Sequence, residues 1–187
     1  MILACIACCH ADLFHETADS EYDLGDKSLQ CGRRADSFKI WLSWRYHGSS
    51  GFAARVEKAC DNAQYLAGRI NDIGIGGGFC LVAEPKFCNV CWWYVPKELR
   101  TRVLAEGPAC IYSVLDKVTP SMYEAMQRAG SMLVNFNPLS DHGLPRFFRI
   151  VTNNSIVNTE DMDFVLAEMQ RLGEELEVPE MAAFLEL

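Results

Sequence analysis

The apolar positions of this chain recur with the period of a helix in several stretches. The clearest stretch is 50–71, where a three- and four-residue spacing predicts one buried face. The residues on that face are Phe52, Val56, Ala59, Ala63, Leu66 and Ile70. Further helices are predicted over 36–47, which Gly48 ends, over 120–129 and over 159–177. Helices therefore stand before, within and after the central part of the chain.

Short stretches between these helices have the composition of strands. Residues 79–84 and 89–95 are dense in β-branched and aromatic side chains. Residues 131–136 and 147–152 predict two more strands, joined by the polar loop 137–146. After the second helix the order is strand, strand, helix, strand, strand, helix. This order is typical of an α+β fold, with helices on one face of a mainly antiparallel sheet.

Composition and charge exclude several classes of protein. The chain has 187 residues, half of them apolar, which suits one domain or a small domain plus part of another. No apolar run reaches the roughly 18 residues that a membrane span needs. From Asn158 onward nine acidic residues stand against one base, whereas the preceding part holds 16 acids and 16 bases. Such an acidic end is typical of a solvated helix face and argues against a nucleic-acid partner.

Nine cysteines raise the possibility of zinc or disulfides, because Cys5/Cys8 and Cys88/Cys91 have the two-residue gap of zinc ligands. The second pair, however, runs directly into a predicted strand. We therefore expect no metal site and no disulfide, but reduced, mostly buried thiols in a cytoplasmic protein.

The apolar stretch 1–9 has no basic residue before it, so we interpret it as the cut end of an element that continues upstream.

Arg149 is the best functional candidate among the residues themselves. It stands in an otherwise apolar strand, where alternation puts Phe147, Arg149 and Val151 on one face and Phe148 and Ile150 on the other. An arginine in such a place is rarely buried without a partner, and its planar fork suits a carboxylate. Taken alone, the pattern favours a structural salt bridge and leaves ligand binding as the alternative.

Three segments carry a resemblance to a known family. The stretch Leu29–Trp41, with the sequence LQCGRRADSFKIW, resembles the segment that follows the active-site lysine of the group II pyridoxal-phosphate decarboxylases. The stretches 89–96 and 147–173 resemble later parts of the same enzymes, in the same order. The resemblance implies part of an α/β fold-type I transferase fold, in which residues 1–48 are a remnant of the large cofactor-binding domain and a linker. Residues 49–187 would then form the C-terminal small domain, and residues 1 to about 35 would pack poorly.

The resemblance also implies roles for particular residues. Arg149 falls on the arginine that holds the substrate's carboxylate in the branch of the family that acts on acidic amino acids. Leu13, in a stretch similar to the family's mobile loop, and the turn at Gln30 and Cys31 would border pyridoxal phosphate. The family's cofactor lysine follows a histidine upstream of this segment, and no His-Lys pair occurs in the chain. No catalytic residue is therefore expected within it.

The implied function is that of a fragment of a decarboxylase. The whole enzyme would convert glutamate, cysteine sulfinate or aspartate to its amine with loss of CO2, as a homodimer that uses pyridoxal phosphate. Without the lysine, this chain alone is expected to be inactive. The alternative is a non-enzymatic fragment that docks on a full-length decarboxylase homologue.

Overall fold

The structure, a computed structural model, describes residues 35–176. The chain divides into two compact units, Met1–Phe52 and Ala53–Leu187. The expected poor packing of residues 1 to about 35 concerns a stretch that is, apart from Ala35, outside the described part. The proposed domain boundary between residues 48 and 49 stays a prediction.

The first helical stretch, α1 (Asp36–Ile73), is interrupted at Gly48, where the backbone has φ 66° and ψ 177°. A positive φ of this size is the left-handed conformation that glycine adopts without a steric cost. The predicted break between two helices at Gly48 is therefore confirmed. In the second unit α1 buries the side chains of Ala59, Asn62, Ala63, Leu66, Ala67 and Ile70. Val56, predicted on that face, is instead 48% exposed.

Four strands form one sheet in the order β1-β2-β4-β3, and every neighbouring pair is antiparallel. They are β1 (Phe79–Ala83), β2 (Asn89–Tyr94), β3 (Phe136–Leu139) and β4 (Leu144–Val151). The remaining helices are α2 (Arg100–Glu106), α3 (Tyr112–Ala129) and α4 (Thr159–Glu174). The predicted α+β class and antiparallel sheet are confirmed.

The stretch between α3 and β4 was predicted wrongly. Of the predicted strand 131–136 only Phe136 belongs to the third strand, which runs over Phe136–Leu139 and so lies mostly in the stretch predicted as a polar loop. This strand is at the edge of the sheet and contains Pro138, which an edge strand tolerates because one row of its backbone groups needs no partner. An edge strand can also be polar, so its composition does not distinguish it from a loop.

Helix α3 begins eight residues before its predicted start, so Pro120 lies inside it. A proline has no N–H to give to the carbonyl four residues before it, which here is that of Asp116. The Nη1 of Arg146 donates to this carbonyl at 2.9 Å instead. The backbone N–H of Arg146 also donates to Asp116 Oδ1 at 2.8 Å, and Thr119 Oγ1 donates to the Arg146 carbonyl at 3.1 Å. Contacts with β4 therefore replace the helical hydrogen bond that Pro120 removes.

Helix α4 begins with a reciprocal capping box. The Asn158 side chain accepts from the backbone N–H of Asp161, and the Asp161 carboxylate accepts from the backbone N–H of Asn158. This arrangement satisfies two N–H groups at the helix end. The helix then buries Met162, Leu166, Met169 and Leu172 in the core. The predicted helix is confirmed, although it ends at Glu174 rather than at 177.

Glu168 in α4 makes the stability of this domain depend on pH. Its carboxylate accepts from Arg171 Nη2 at 2.7 Å and from Ser131 Oγ at 2.5 Å, and these bonds lower its pKa from 4.5 to about 2. A carboxyl whose pKa is lower in the folded state adds stability above its unfolded pKa and loses it as pH falls towards the folded pKa. We expect Glu168→Gln to unfold at lower urea concentration than wild type above pH 4.5, and the difference to shrink between pH 4.5 and 2.

The matched control is Glu124→Gln, which removes the exposed ion pair of Glu124 with Arg128. Exposed pairs of this kind contribute little to stability. Parallel urea midpoints for Glu168→Gln and wild type across that pH range would contradict the prediction.

Candidate functional site

The two faces of the sheet have different surroundings. On one face Trp92, Tyr94 and Phe148 are fully buried. Trp92 and Phe148 are paired across β2 and β4, and their ring centroids are 6.2 Å apart. Helices pack on this face: a Cβ on Gly173 of α4 would collide with the Tyr94 ring. This face is the core of the domain.

The opposite face carries Arg149. The register of β2 and β4 pairs Arg149 with Cys91, and the alternation of side chains adds Trp93 and Phe147 to the same face. Cys91 and Arg149 are half-buried, while Trp93 and Phe147 are buried. The predicted alternation of Phe147, Arg149 and Val151 against Phe148 and Ile150 is therefore confirmed.

The Arg149 guanidinium has no hydrogen-bond or ion-pair partner between residues 35 and 176. Its backbone N–H donates to the Asn135 carbonyl at 2.9 Å, which holds the strand but leaves the side chain uncommitted. Other arginines are engaged: Arg69 Nε lies 2.8 Å from Asp163 Oδ1, and Arg171 binds Glu168. The structural salt bridge that the pattern alone favoured has no acidic partner among these residues.

Trp93 adds a second donor to this face that lacks a partner in the described part of the chain. Its indole Nε1 is buried and makes no hydrogen bond there, and its ring centroid lies 5.5 Å from that of Tyr112. A buried donor without an acceptor is costly, although the Nε1 of Trp92 on the core face is in the same condition among these residues. Arg149 and Trp93 thus give one face of the sheet two donors without acceptors from residues 35–176.

The structure places Cys91 directly beside Arg149, a neighbour that the sequence analysis did not predict. Burial raises the pKa of its thiol, and the charge of Arg149 lowers that pKa by a smaller amount. The thiol is thus within electrostatic reach of the guanidinium. Nothing in the local pattern identifies Cys91 as the partner of Arg149, because 57 residues separate them and only the strand register brings them together.

The sheet that carries Arg149 offers no lysine to pyridoxal phosphate. Holding that cofactor as a Schiff base requires a lysine amine, and none of the four strands contains a lysine. Lys39 lies 3.1 Å from Asp36 Oδ1, and Lys58 donates to the Ser155 carbonyl at 2.7 Å. The cofactor-bordering residues that the resemblance implies, Leu13, Gln30 and Cys31, lie outside the described residues.

The remaining candidate features are metal-ligating clusters, membrane-spanning helices, cysteines and cavities, and none of them adds a second candidate site in the described part of the chain. Within residues 35–176, no group of three or more metal-ligating side chains comes together, and no helix is long and apolar enough to cross a membrane. The five described cysteines, which are Cys60, Cys80, Cys88, Cys91 and Cys110, are free thiols. A cavity of about 840 Å³ between α3 and α4 is lined by charged side chains that pair with one another, such as Glu124 with Arg128 and Arg171 with Glu175.

Comparison with known proteins shows the family. The chain matches the model of the pyridoxal-dependent decarboxylase conserved domain over residues 2–95, and it belongs to that family of decarboxylases. The predicted resemblance to the group II enzymes is confirmed.

Several relatives are similar to most of the chain. It is 41% identical over 165 residues to human cysteine sulfinic acid decarboxylase, covering 88% of this chain and 31% of that protein. It is 40% identical to the acidic amino acid decarboxylase GADL1 of Xenopus tropicalis, covering 84% of this chain and 29% of that protein. The crystal structure of mouse CSAD in apo form superposes with a TM-score of 0.68 and 35% identity, covering 91% of this chain and 34% of that one. The chain thus spans about a third of the length of these relatives.

Proposed function

We propose that this chain is the substrate-carboxylate-binding portion of a decarboxylase for acidic amino acids, and that Arg149 holds the carboxylate. The observation that carries the proposal is the Arg149 guanidinium, which is half-buried on a sheet face and has no anionic partner among residues 35–176. The relatives support the substrate class, because their names specify cysteine sulfinic acid or acidic amino acids. The choice among glutamate, cysteine sulfinate and aspartate is left open.

A half-buried guanidinium without an anion favours the binding of a negatively charged group. Removing an ion from water is costly, so a half-buried arginine without an anion is poorly compensated in the protein itself. An acidic substrate brings the missing negative charge, and the guanidinium fork can form two parallel charge-assisted hydrogen bonds with its carboxylate. Strand β4 is paired on both sides, which holds the arginine backbone in place for that contact.

We propose that the cofactor site and this chain belong to different parts of the whole enzyme. Pyridoxal phosphate would be held mainly by residues upstream of this chain, with Leu13, Gln30 and Cys31 bordering it. Residues 1–48 would belong to the large domain and residues 49–187 to the small one. We propose a homodimer in the cytoplasm, a compartment in which the five free thiols would stay reduced.

The 187-residue chain alone is expected to form no Schiff base with pyridoxal phosphate and to decarboxylate no amino acid. The reason is the absence of a His-Lys pair and the absence of lysine from all four strands. The measurement is absorbance after incubation with the cofactor and dialysis, before and after borohydride reduction, with human cysteine sulfinic acid decarboxylase as the positive control. A band that survives dialysis and disappears with borohydride would show that the chain holds the cofactor unaided.

The second candidate function is docking on a full-length decarboxylase. Its supporting observation is the start of α1, where Phe38, Trp41 and Trp44 are at least half exposed. Exposed aromatic patches are typical of interaction surfaces. Co-purification with a tagged full-length relative, lost in a Trp41→Ala/Trp44→Ala variant, separates this candidate from the first.

A further inference from the structure

The strand register makes Cys91 the side chain directly opposite Arg149. Paired residues on one face of an antiparallel sheet have Cβ atoms about 4.5–5.5 Å apart, closer than any diagonal neighbour. A carboxylate at such a position forms a cross-strand ion pair with arginine. A carboxylate at position 91 of β2 would therefore neutralise the charge of Arg149. The residue at this position is instead a cysteine, whose thiol is neutral.

The other neighbours of Arg149 on this face are also neutral. None of them carries a carboxylate: they are Ala83 beyond Cys91, Phe147 and Val151 along β4, Asn89 and Trp93 on the β2 diagonals, and Asn137 of β3, which pairs with Phe147. Because the surrounding sheet positions offer no negative charge, the charge state of residue 91 decides whether the guanidinium is paired within the sheet or available to a ligand.

We propose that Cys91 is a specificity-determining residue of the Arg149 site, because its small neutral side chain leaves the guanidinium fork open to a carboxylate from outside. The identity of the ligand rests on the proposed function. Whether the Arg149 guanidinium is paired or unpaired does not depend on that function. It predicts that charge, rather than size, at position 91 controls the site. A carboxylate at position 91 would take the place of the ligand's carboxylate.

The test compares two variants of equal size, Cys91→Asp and Cys91→Asn, in the 187-residue chain. Phenylglyoxal modifies free guanidinium groups, and peptide mapping by mass spectrometry gives the rate at each arginine. In wild type, Arg149 is expected to react faster than Arg69, which is paired with Asp163. Cys91→Asp is expected to slow modification of Arg149 by about tenfold through a charge-assisted pair, while Cys91→Asn leaves the rate near that of wild type.

The same charge can be introduced chemically into folded wild-type protein, so that the result does not depend on whether the Cys91→Asp variant folds. Wild-type protein is folded first and then alkylated with iodoacetate or with iodoacetamide, and the conversion at Cys91 is checked by mass spectrometry. The two reagents add groups of similar size, of which only the first is charged. Slower modification of Arg149 after iodoacetate, but not after iodoacetamide, is the expected result. Equal Arg149 rates in the charged and neutral forms would overturn the inference, as would a wild-type Arg149 that reacts no faster than Arg69.

The failure of this inference can be distinguished from failure of the proposed function. In an enzyme completed with its cofactor-binding part, Cys91→Asp should raise KM for the acidic substrate about tenfold relative to Cys91→Asn, with a smaller change in kcat. If Cys91→Asp blocks Arg149 in the chain but leaves KM unchanged in the enzyme, the substrate's carboxylate is held elsewhere and the specificity role of Cys91 is overturned. If instead KM rises while the phenylglyoxal rate is unchanged, the ion-pair explanation is wrong.

Discussion

Replacing Arg149 with lysine is expected to lower kcat/KM of the completed enzyme on the order of a hundredfold or more. This corresponds to a loss of about 2–4 kcal/mol of transition-state stabilisation. Lysine keeps the positive charge but is a single flexible donor, whereas the guanidinium offers two parallel N–H groups to one carboxylate. The loss of kcat/KM therefore measures the contribution of the two parallel hydrogen bonds rather than that of the positive charge. The sheet supports this reading, since Arg149 has no competing partner among residues 35–176 and β4 is paired on both sides.

The measurement requires a polypeptide in which these 187 residues follow a cofactor-binding part. That part is taken from the upstream coding region or, by fusion, from human cysteine sulfinic acid decarboxylase. Arg146→Lys, three residues away on the same strand, serves as the matched control, because Arg146 supports α3 rather than the Arg149 face. An Arg149→Lys enzyme as efficient as wild type would show that the carboxylate is held by another residue.

Replacing Phe148 with alanine is expected to destabilise the domain by about 3–5 kcal/mol. Phe148 is fully buried in an interior strand, opposite Trp92 on one side and Phe136 on the other. Its removal takes apolar surface out of the core and leaves a cavity that the neighbouring rings can only partly fill. A domain with an ordinary stability of about 5–15 kcal/mol would lose a large part of it.

The free energy of unfolding from urea denaturation, followed by tryptophan fluorescence, measures this loss. The control is Val151→Ala on the same strand, where a side chain 44% exposed predicts a change within about 0.5 kcal/mol. Similar losses for the two variants would mean that the Trp92 face is not the core on which the stability of the domain depends.

The sequence alone predicted the features that depend on near neighbours in the chain. The period of α1 beyond Gly48, the break at Gly48 and the apolar strands β1 and β2 follow from local side-chain spacing and backbone preference. The face on which Arg149 lies followed from the alternation of side chains along β4. The α+β class followed from the order of these elements, although helix α2 was not predicted and the starts of α3, β3 and β4 were misplaced.

Only the tertiary structure decided which distant residues meet. Pro120 stays inside α3 because Arg146, from β4, donates to the carbonyl that the proline leaves free. Strand β3 is recognisable as a strand only by its pairing with β4, since an edge strand need not be apolar. The pairing of Cys91 with Arg149 depends on the register between β2 and β4, and a shift of one residue would put Cys91 opposite a residue of the other face. Local composition carries no information on that register, because packing over the whole face selects it.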